Sequence, residues 1–479
     1  MVFLSPEFIG FFLAVFLLYW TVGAGSSVRQ NMILLLASVL FYGWLDLQFL
    51  ALILFSAAAN MAIGVAIGSA GAERVQRAWL WAGVGLNLGI LAYFKYFNFF
   101  HDPIVDVLNF ADGSHSRPGV ELVLPLGISY YTFQLTGYLI DVFNGVVPAC
   151  RQPLPFFTYV LYFPKLLAGP IERIQRFLPR IATARRFDPA LISDAFRQVL
   201  WGAFAKLVIA DNCARLADPI FNDAGSQGGS TLLAGAMLYL LQVYGDFSGY
   251  SNMAIGLSKM LGVPLMANFR APLFATDVGD FWRRWHISLT TWMMDYVFIP
   301  LNFLFRGLGK LGLAMAIFIT FLAVGIWHGA NWTFVLFGVL QGIYFLPLAV
   351  KGSVLRPAGM KKGIGPDVKR FLAMGGIFLL MSLTFILMRV PSTGAAFAFW
   401  SGLLDRSLFE MPVLQGNPLA LLLAFFIGVG WFGRSREHAL AAPARPRPLL
   451  LRWGWLSFIL FLVGMYSATV ESPFIYFSF

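Results

Sequence analysis

The sequence predicts an all-α fold, a polytopic transmembrane helical bundle, and three observations support this class. Apolar residues make up 59% of the chain and charged residues only 12%, whereas about a quarter of a soluble domain is charged. The mean hydropathy is +0.74. Apolar runs of the roughly 20 residues that a helix needs to cross a bilayer recur along the whole chain. We therefore expect one integral-membrane domain, residues 1–479.

Several of the apolar segments are too short to cross, so we expect about 11–13 spans together with re-entrant or interfacial helices. The first segment lacks a basic n-region and a clear cleavage signal, which favours a retained helix over a signal peptide. The candidate segments are 8–24, 32–50, 51–69, 78–96, 119–142, 154–170, 196–213, 231–245, 249–263, 286–305, 311–327, 331–350, 371–390, 393–404, 417–432 and 453–469.

The net charge of +11 comes from Lys and Arg in short loops between the apolar segments. This distribution fits the positive-inside rule and anionic lipid head groups rather than nucleic acid. The basic stretches 173–189, 351–370 and 434–452 are therefore expected on the cytoplasmic side. Cys150 and Cys213 have no metal-ligand spacing and are expected to be free thiols that pack.

Polar residues inside membrane segments are costly and usually functional, and the first such cluster is YGDFSGYSNMAIG, residues 244–256. Asp246, Ser248, Ser251 and Asn252 interrupt an apolar background there. One interpretation is a substrate-facing site. The other is a Gly/Ser packing seam in which a neighbour satisfies the one carboxylate.

The second cluster is the stretch DVGDFWRRWHISLTTWMMDYVFIPL. Trp282, Arg283 and Trp285 are typical of an interfacial anchor, although paired arginines such as Arg283 and Arg284 also suit phosphate groups. The anchor interpretation leaves His286 unexplained. Because histidine is scarce inside membranes, we favour a functional role for it.

The third cluster is AVGIWHGANWTF, in which His328 follows a long apolar run. Gly325 and Gly329 remove bulk on either side of it. Asn331 and Trp332 would share its helical face if the helix continued. A buried neutral imidazole is suited to removing a proton from an acceptor hydroxyl or thiol during acyl transfer, and the alternative is a core histidine bonded to a carbonyl.

Other catalytic signatures are missing from the sequence, which has no Walker loop, G-x-S-x-G elbow or H-E-x-x-H. His101, His115 and His438 stand in polar contexts and are expected at the surface. No metal site is expected, because the chain contains few of the required ligands.

The chain resembles the membrane-bound O-acyltransferase family, in particular its bacterial alginate O-acetylation branch. The resemblance covers nearly the whole chain, and the pairing of FWRRWHISL with GIWHGANWTF about forty residues later is highly specific. Further matching segments are LAYFKYFNFF, LPLGISYYTFQLTGYLIDVFNG, YFPKLLAGPIERIQRFLPRI, YGDFSGYSNMAIGLSKMLG and ESPFIYFSF.

The resemblance implies a bundle with a thinned centre and a central tunnel, where a cytosolic acyl donor and an extracytoplasmic acceptor meet. It implies that His328, in the W-H-G-x-x-W pattern, is essential, and it places His286 in the R-R-W-H pattern. It further implies acetyl-CoA as the donor, no tightly bound cofactor, and a location in the bacterial inner membrane. Periplasmic acetyltransferases and polysaccharide export machinery are the partners that it implies.

The sequence also departs from the family pattern at several positions. Met293 and Met294 replace an aromatic residue and an arginine, and Gln341 replaces a frequent third histidine. Asn252 replaces a frequent aspartate, and NFLF at 302–305 replaces a glycine-rich turn. The histidine pair is intact.

The resulting hypothesis is an O-acetyltransferase in which His328 is the general base and His286 orients the nucleophile or polarises the thioester carbonyl. The predicted donor- and substrate-binding residues are Arg283, Arg284, Asp246, Asn331 and Trp327. The arginines would hold the CoA phosphates, and Asn331 or Asp246 would fix the imidazole tautomer. Alternatives are acylation of cellulose, peptidoglycan or teichoic acid. A non-enzymatic transporter or flippase is a further alternative, and the absence of a visible inverted repeat in the sequence disfavours it.

Overall fold

The computed structural model describes residues 3–112, 122–352, 368–414, 419–441, 448–467 and 474–475. Every regular element within these ranges is helical, which confirms the predicted all-α class. Contacts divide the chain into two compact units: Met1–Ile192 with Leu257–Leu265, and Ser193–Gly256 with Met266–Phe479. We describe each unit by itself, and a single acyltransferase domain stays a prediction.

In the described part of the chain, five helices are long and apolar enough to cross a membrane. They are Ser27–Leu45, Leu47–Ser69, Arg306–His328, Trp332–Val350 and Val368–Met388. Three shorter apolar helices are Pro6–Trp20, Leu419–Gly433 and Leu450–Tyr466. The total of about 11–13 spans stays a prediction, because length and composition alone do not decide whether a short helix crosses.

The first unit begins with long apolar helices and continues with shorter ones. They are α1 (Pro6–Trp20), α2 (Ser27–Leu45), α3 (Leu47–Ser69), α4 (Glu73–Asp112), α5 (Ile128–Phe143), α6 (Pro153–Leu161), α7 (Phe163–Leu166) and α8 (Ile174–Ala182). Some of its buried polar side chains bond to each other between helices, which lowers the cost of placing them in apolar surroundings. The amides of Asn60 and Asn87, for example, bond reciprocally between α3 and α4 at 2.7 and 2.8 Å.

The second unit contains all the candidate catalytic residues. Its helices are α9 (Pro189–Ala203), α10 (Asp211–Asn222), α11 (Gly229–Met260), α12 (Val278–Arg284), α13 (Ile287–Met293), α14 (Ile299–Leu304), α15 (Gly309–His328), α16 (Trp332–Val350), α17 (Val368–Phe385), α18 (Thr393–Gly402), α19 (Leu419–Gly433) and α20 (Leu449–Tyr466). Helix α9 begins in the first unit, and the last turn of α11 returns to it.

Several predicted span boundaries were wrong. The segments 231–245 and 249–263 belong to one helix, α11, because the Gly- and Ser-rich stretch between them is helical. The segment 286–305, in contrast, corresponds to one continuous helical run, because α13, a π-helical turn at Met294–Phe298 and α14 follow one another without a break. The segment 154–170 separates into α6 and α7, and Pro164 lies in the first turn of α7.

Helices α15 and α16 pack through glycines. A Cβ added to Gly325 would collide with the carbonyl oxygen of Phe334 and lie 3.0 Å from the Cα of Gly338. A Cβ on Gly338 would meet the Phe321 carbonyl oxygen. Small residues permit this close approach of membrane helices, which brings the backbones of α15 and α16 together.

The prediction that His438 lies at the surface was wrong. Its ring is buried, and Nε2 lies 3.2 Å from both carboxylate oxygens of Asp194. His101 lies in α4. His115 lies outside the described residues, as do 353–367 and 442–447 of the predicted cytoplasmic stretches.

Candidate active site

His286 occupies the sharp junction between α12 and α13. Its backbone is left-handed, with φ +42°, an unusual conformation for a residue with a side chain. Helix α12 ends with the Trp285 N–H bonded to the Phe281 carbonyl at 2.8 Å. Helix α13 begins with the Thr290 N–H bonded to the His286 carbonyl at 3.0 Å. The turn therefore projects this one imidazole from between two short helices.

Asn268 holds this junction in place from the preceding loop. Its carbonyl oxygen accepts a hydrogen bond from the Ile287 N–H at 2.9 Å. Its side-chain Oδ1 accepts from Ser288 Oγ at 2.6 Å, and its Nδ2 donates to Ser251 Oγ at 3.0 Å. The side chains of Asn268 and Ser288 are fully buried. These bonds tie the residues that follow His286 to helix α11.

His328 is the last residue of α15, so the helix does not continue through Asn331 and Trp332. Gly329 is extended, with φ −171°. Asn331 then caps α16, since its Oδ1 accepts from the Thr333 N–H at 3.1 Å. The Nδ2 of Asn331 donates to the Pro391 carbonyl at 2.9 Å. Trp332 is 65% exposed, so it does not share a buried face with the imidazole.

The structure brings the two imidazoles together at Trp327. Ring centroids of His286 and Trp327 are 5.9 Å apart, and those of Trp327 and His328 are 4.9 Å apart. The two histidines also lie close enough to interact electrostatically. His286 is fully buried and His328 is 3% exposed. The α12–α13 junction and the end of α15, which are far apart in sequence, thus place the two imidazoles close together in apolar surroundings.

Aromatic rings enclose both imidazoles. Phe247 of α11 packs edge-on against His286, with ring centroids 4.6 Å apart. Phe337 of α16 lies 6.0 Å from His328. Such walls exclude water, and exclusion of water strengthens electrostatic interactions within the site.

The two predicted phosphate-binding arginines are placed differently from each other. Arg284 is largely buried, and its Nε lies 2.8 Å from Asp280 Oδ1. Arg283 is about one-third exposed, lies 3.7 Å from Asp277, and lines an open, mostly apolar cavity of about 970 Å³. The ion pair of Arg284 stabilises α12 internally, and only Arg283 faces open space.

Asp246 takes part in a buried ion network. Its Oδ1 lies 2.8 Å from Lys206 Nζ, which also lies 2.9 Å from Asp211 Oδ1. Its Oδ2 accepts a hydrogen bond from the Ile475 N–H at 2.7 Å. Lys206 lies in a π-helical turn, Phe204–Ala210, between α9 and α10. These contacts favour the second interpretation of Asp246, a carboxylate satisfied by neighbours.

Two of the positions that depart from the family pattern are well bonded. Gln341 is fully buried, and its Oε1 accepts from the Trp282 indole N–H at 2.9 Å. Asn252 accepts from Gln198 Nε2 at 3.1 Å and donates to the Ser248 carbonyl at 2.7 Å. Uncharged amides therefore occupy these polar positions without needing a counter-charge.

Asn268 and Lys206 were not among the residues predicted from the sequence. Asn268 follows a proline-containing loop and gave no helical signal, although a polar residue next to an apolar cluster is a usable sign. Lys206 interrupts the apolar run FAKLVIA, and a lone charge in such a run indicates an acidic partner elsewhere in the chain.

Comparison with known proteins identifies the family to which the chain belongs. Residues 151–389, which include both histidines, match the membrane-bound O-acyltransferase (MBOAT) family model. The chain is similar to the "Probable alginate O-acetylase AlgI" of Pseudomonas putida, with 34% identity over an alignment of 510 residues that covers 100% of both chains. It is 33% identical to the "Peptidoglycan O-acetyltransferase" of Helicobacter pylori, over 72% of this chain and 69% of that one. With the "Teichoic acid D-alanyltransferase" of Streptococcus thermophilus it shares 32% identity, over 51% and 60%. The chain belongs to the membrane-bound O-acyltransferase family and is a membrane-bound acyltransferase.

Proposed function

We propose that the chain transfers acetyl groups from cytosolic acetyl-CoA, across the bacterial inner membrane, towards the hydroxyl groups of an exopolysaccharide such as alginate. The observation that carries this proposal is the convergence of His286 and His328 on Trp327 in a buried, aromatic-walled place. The full-length similarity to a protein named as an alginate O-acetylase supports the choice of polymer.

The chemistry needs one base and one polarising group. The acceptor oxygen attacks the thioester carbonyl carbon, the new C–O bond forms, and the C–S bond breaks. His328 removes the hydroxyl proton and returns it to the leaving thiolate, so that its imidazole is regenerated. His286, held by the Asn268 contacts, hydrogen-bonds the carbonyl oxygen as negative charge develops there.

Partner proteins complete the route to the polymer in this proposal. A buried site cannot enclose a long polysaccharide, so periplasmic acetyltransferases and the export machinery would receive the acetyl group. Peptidoglycan and teichoic acid remain the alternative acceptors, since relatives named for those polymers share 32–33% identity with the chain.

The test is acetyl transfer by purified protein in proteoliposomes supplied with acetyl-CoA and alginate oligosaccharides, with and without periplasmic partners. His328→Ala should lower the rate about 10²–10⁴-fold, the usual contribution of a general base, while monodisperse folded protein is still recovered. The control is Arg77→Gln, because Arg77 is an exposed residue of the first unit that pairs with Glu73. Near-normal transfer by His328→Ala would exclude the mechanism, and export of acetyl-CoA without transfer would favour a transporter.

A further inference from the structure

The second unit contains another cavity, separate from the apolar one that Arg283 lines. It has about 580 Å³ of open space. Three arginines lie around it: Arg270 from the loop between α11 and α12, and Arg434 and Arg436 from the segment after α19. One carboxylate, Glu437, also lines it.

The three arginines of this rim outnumber its one carboxylate. Within the described residues, no carboxylate forms an ion pair with Arg270, Arg434 or Arg436. Arg434 lies over the Trp431 ring, 3.9 Å from its centroid, and donates to the Trp431 carbonyl at 2.6 Å. Burial and the nearby charge of Arg370 lower the pKa of Arg434. Clustered guanidinium groups of this kind suit multiply charged phosphates.

The floor of the cavity reaches towards the histidines. Tyr244 and Phe269 line it, and their rings lie 6.0 and 5.2 Å from Trp285, the residue before His286. Phe269 also lies 5.0 Å from Phe247, the ring that packs on His286. A layer of aromatic side chains therefore separates the arginine rim from the proposed acyl-transfer site.

We propose that the cavity rimmed by Arg270, Arg434 and Arg436 binds the phosphate groups of the acyl donor. The loop that supplies Arg434 and Arg436 is dense in arginine, which places it on the cytoplasmic side by the positive-inside rule, where a CoA thioester would be found. The pairing of Arg284 with Asp280 leaves that arginine less suited to the role. This inference rests on the proposed function and adds the donor's point of attachment to it.

The test compares two acetyl donors that differ in phosphate content. Acetyl-CoA carries phosphates, and S-acetylpantetheine carries the same thioester without them. In the triple variant Arg270→Gln, Arg434→Gln, Arg436→Gln, KM for acetyl-CoA should rise at least about tenfold, since each charged hydrogen bond that is lost weakens binding. The values of kcat for both donors and KM for S-acetylpantetheine should stay unchanged.

A matched control is Arg77→Gln, which removes an exposed arginine of the first unit that is paired with Glu73. It should leave KM for both donors unchanged. Thermal unfolding of the triple variant establishes that its effect is not loss of the fold. An equal rise of KM for both donors, or an unchanged KM for acetyl-CoA, overturns the proposal.

Two further measurements separate the other outcomes. If the parent protein transfers acetyl from neither donor, the proposed function fails. Calorimetric binding of CoA then tests the phosphate site independently, and weaker binding of CoA by the triple variant supports it. Native mass spectrometry after reconstitution with phosphatidylglycerol tests a lipid head group as the ligand. Loss of bound lipid in the variant, with an unchanged affinity for CoA, would assign the arginines to lipid and overturn the proposal.

Discussion

Asn268 Oδ1 accepts a hydrogen bond from Ser288 Oγ at 2.6 Å, and this bond joins the loop before α12 to the helix after His286. Together with the bond from the Ile287 N–H to the Asn268 carbonyl, it fixes the backbone on the far side of the left-handed turn. The direction of one imidazole thus depends on a residue eighteen positions earlier in the chain.

Asn268→Ala should lower kcat while leaving KM nearly unchanged. The variant removes two side-chain hydrogen bonds in a buried place, at a cost of about 1–3 kcal/mol of unfolding free energy. A misplacement of His286 by about 1 Å would cost up to roughly 10²-fold in rate. Steady-state kinetics of acetyl transfer measure kcat and KM separately. The control is Thr291→Ala, which removes a hydroxyl bonded only within its own helix. A rise in KM with unchanged kcat would contradict a positioning role.

His286→Asn and His286→Val should both be inactive but should differ in folding. Asparagine enters the left-handed conformation with little penalty, whereas a β-branched residue at φ +42° costs about 1–3 kcal/mol. We therefore expect His286→Asn to give a nearly normal folded yield by fluorescence-detected size exclusion, and His286→Val a reduced one. Equal yields would show that the turn relaxes.

Gly325→Ala should destabilise the second unit by about 1–3 kcal/mol, because its Cβ would push α15 away from the Phe334 carbonyl and from Gly338. Gly376→Ala in α17 is the matched control, since no atom lies within 4 Å of its added Cβ. Melting temperatures in one detergent give the comparison. If both variants have the same melting temperature, the close contact between α15 and α16 is not important for stability.

Lys206→Met should be among the most destabilising single changes in the second unit. It leaves Asp211 and Asp246 buried without their shared counter-charge, and breaking such a network costs about 3–5 kcal/mol. The exposed pair of Arg77 and Glu73 offers the comparison, because Arg77→Met should cost about 0–1 kcal/mol. Denaturant or thermal unfolding of both variants tests the difference. A small effect at Lys206 would mean that the carboxylates are protonated or hydrated.

The fold class and the histidine pair could be predicted because both depend on composition and short motifs. An imidazole inside an apolar run is visible in the sequence, and so is its companion forty-two residues earlier. The π-helical turn within 286–305 was not predicted because such a turn, unlike a proline kink, has no strong local signal.

Partners distant in sequence could not be predicted. Asp194 and His438 are 244 residues apart, so the polar context of His438 suggested a surface position that the fold does not give it. The end of α15 is a different case. Asn331 is a favourable N-cap before Trp332, and that local signal already favoured a new helix over a continuous one.

The close packing of Gly325 has a consequence for His328, three residues further along the same helix. Because α15 is held against α16 at Gly325, the number of residues from Gly325 to His328 sets the direction in which the imidazole points from the helix axis. One inserted residue would rotate the ring by about 100° around the helix axis and advance it by about 1.5 Å. The spacing from Gly325 to His328 therefore sets whether the proposed base faces His286 or turns away from it.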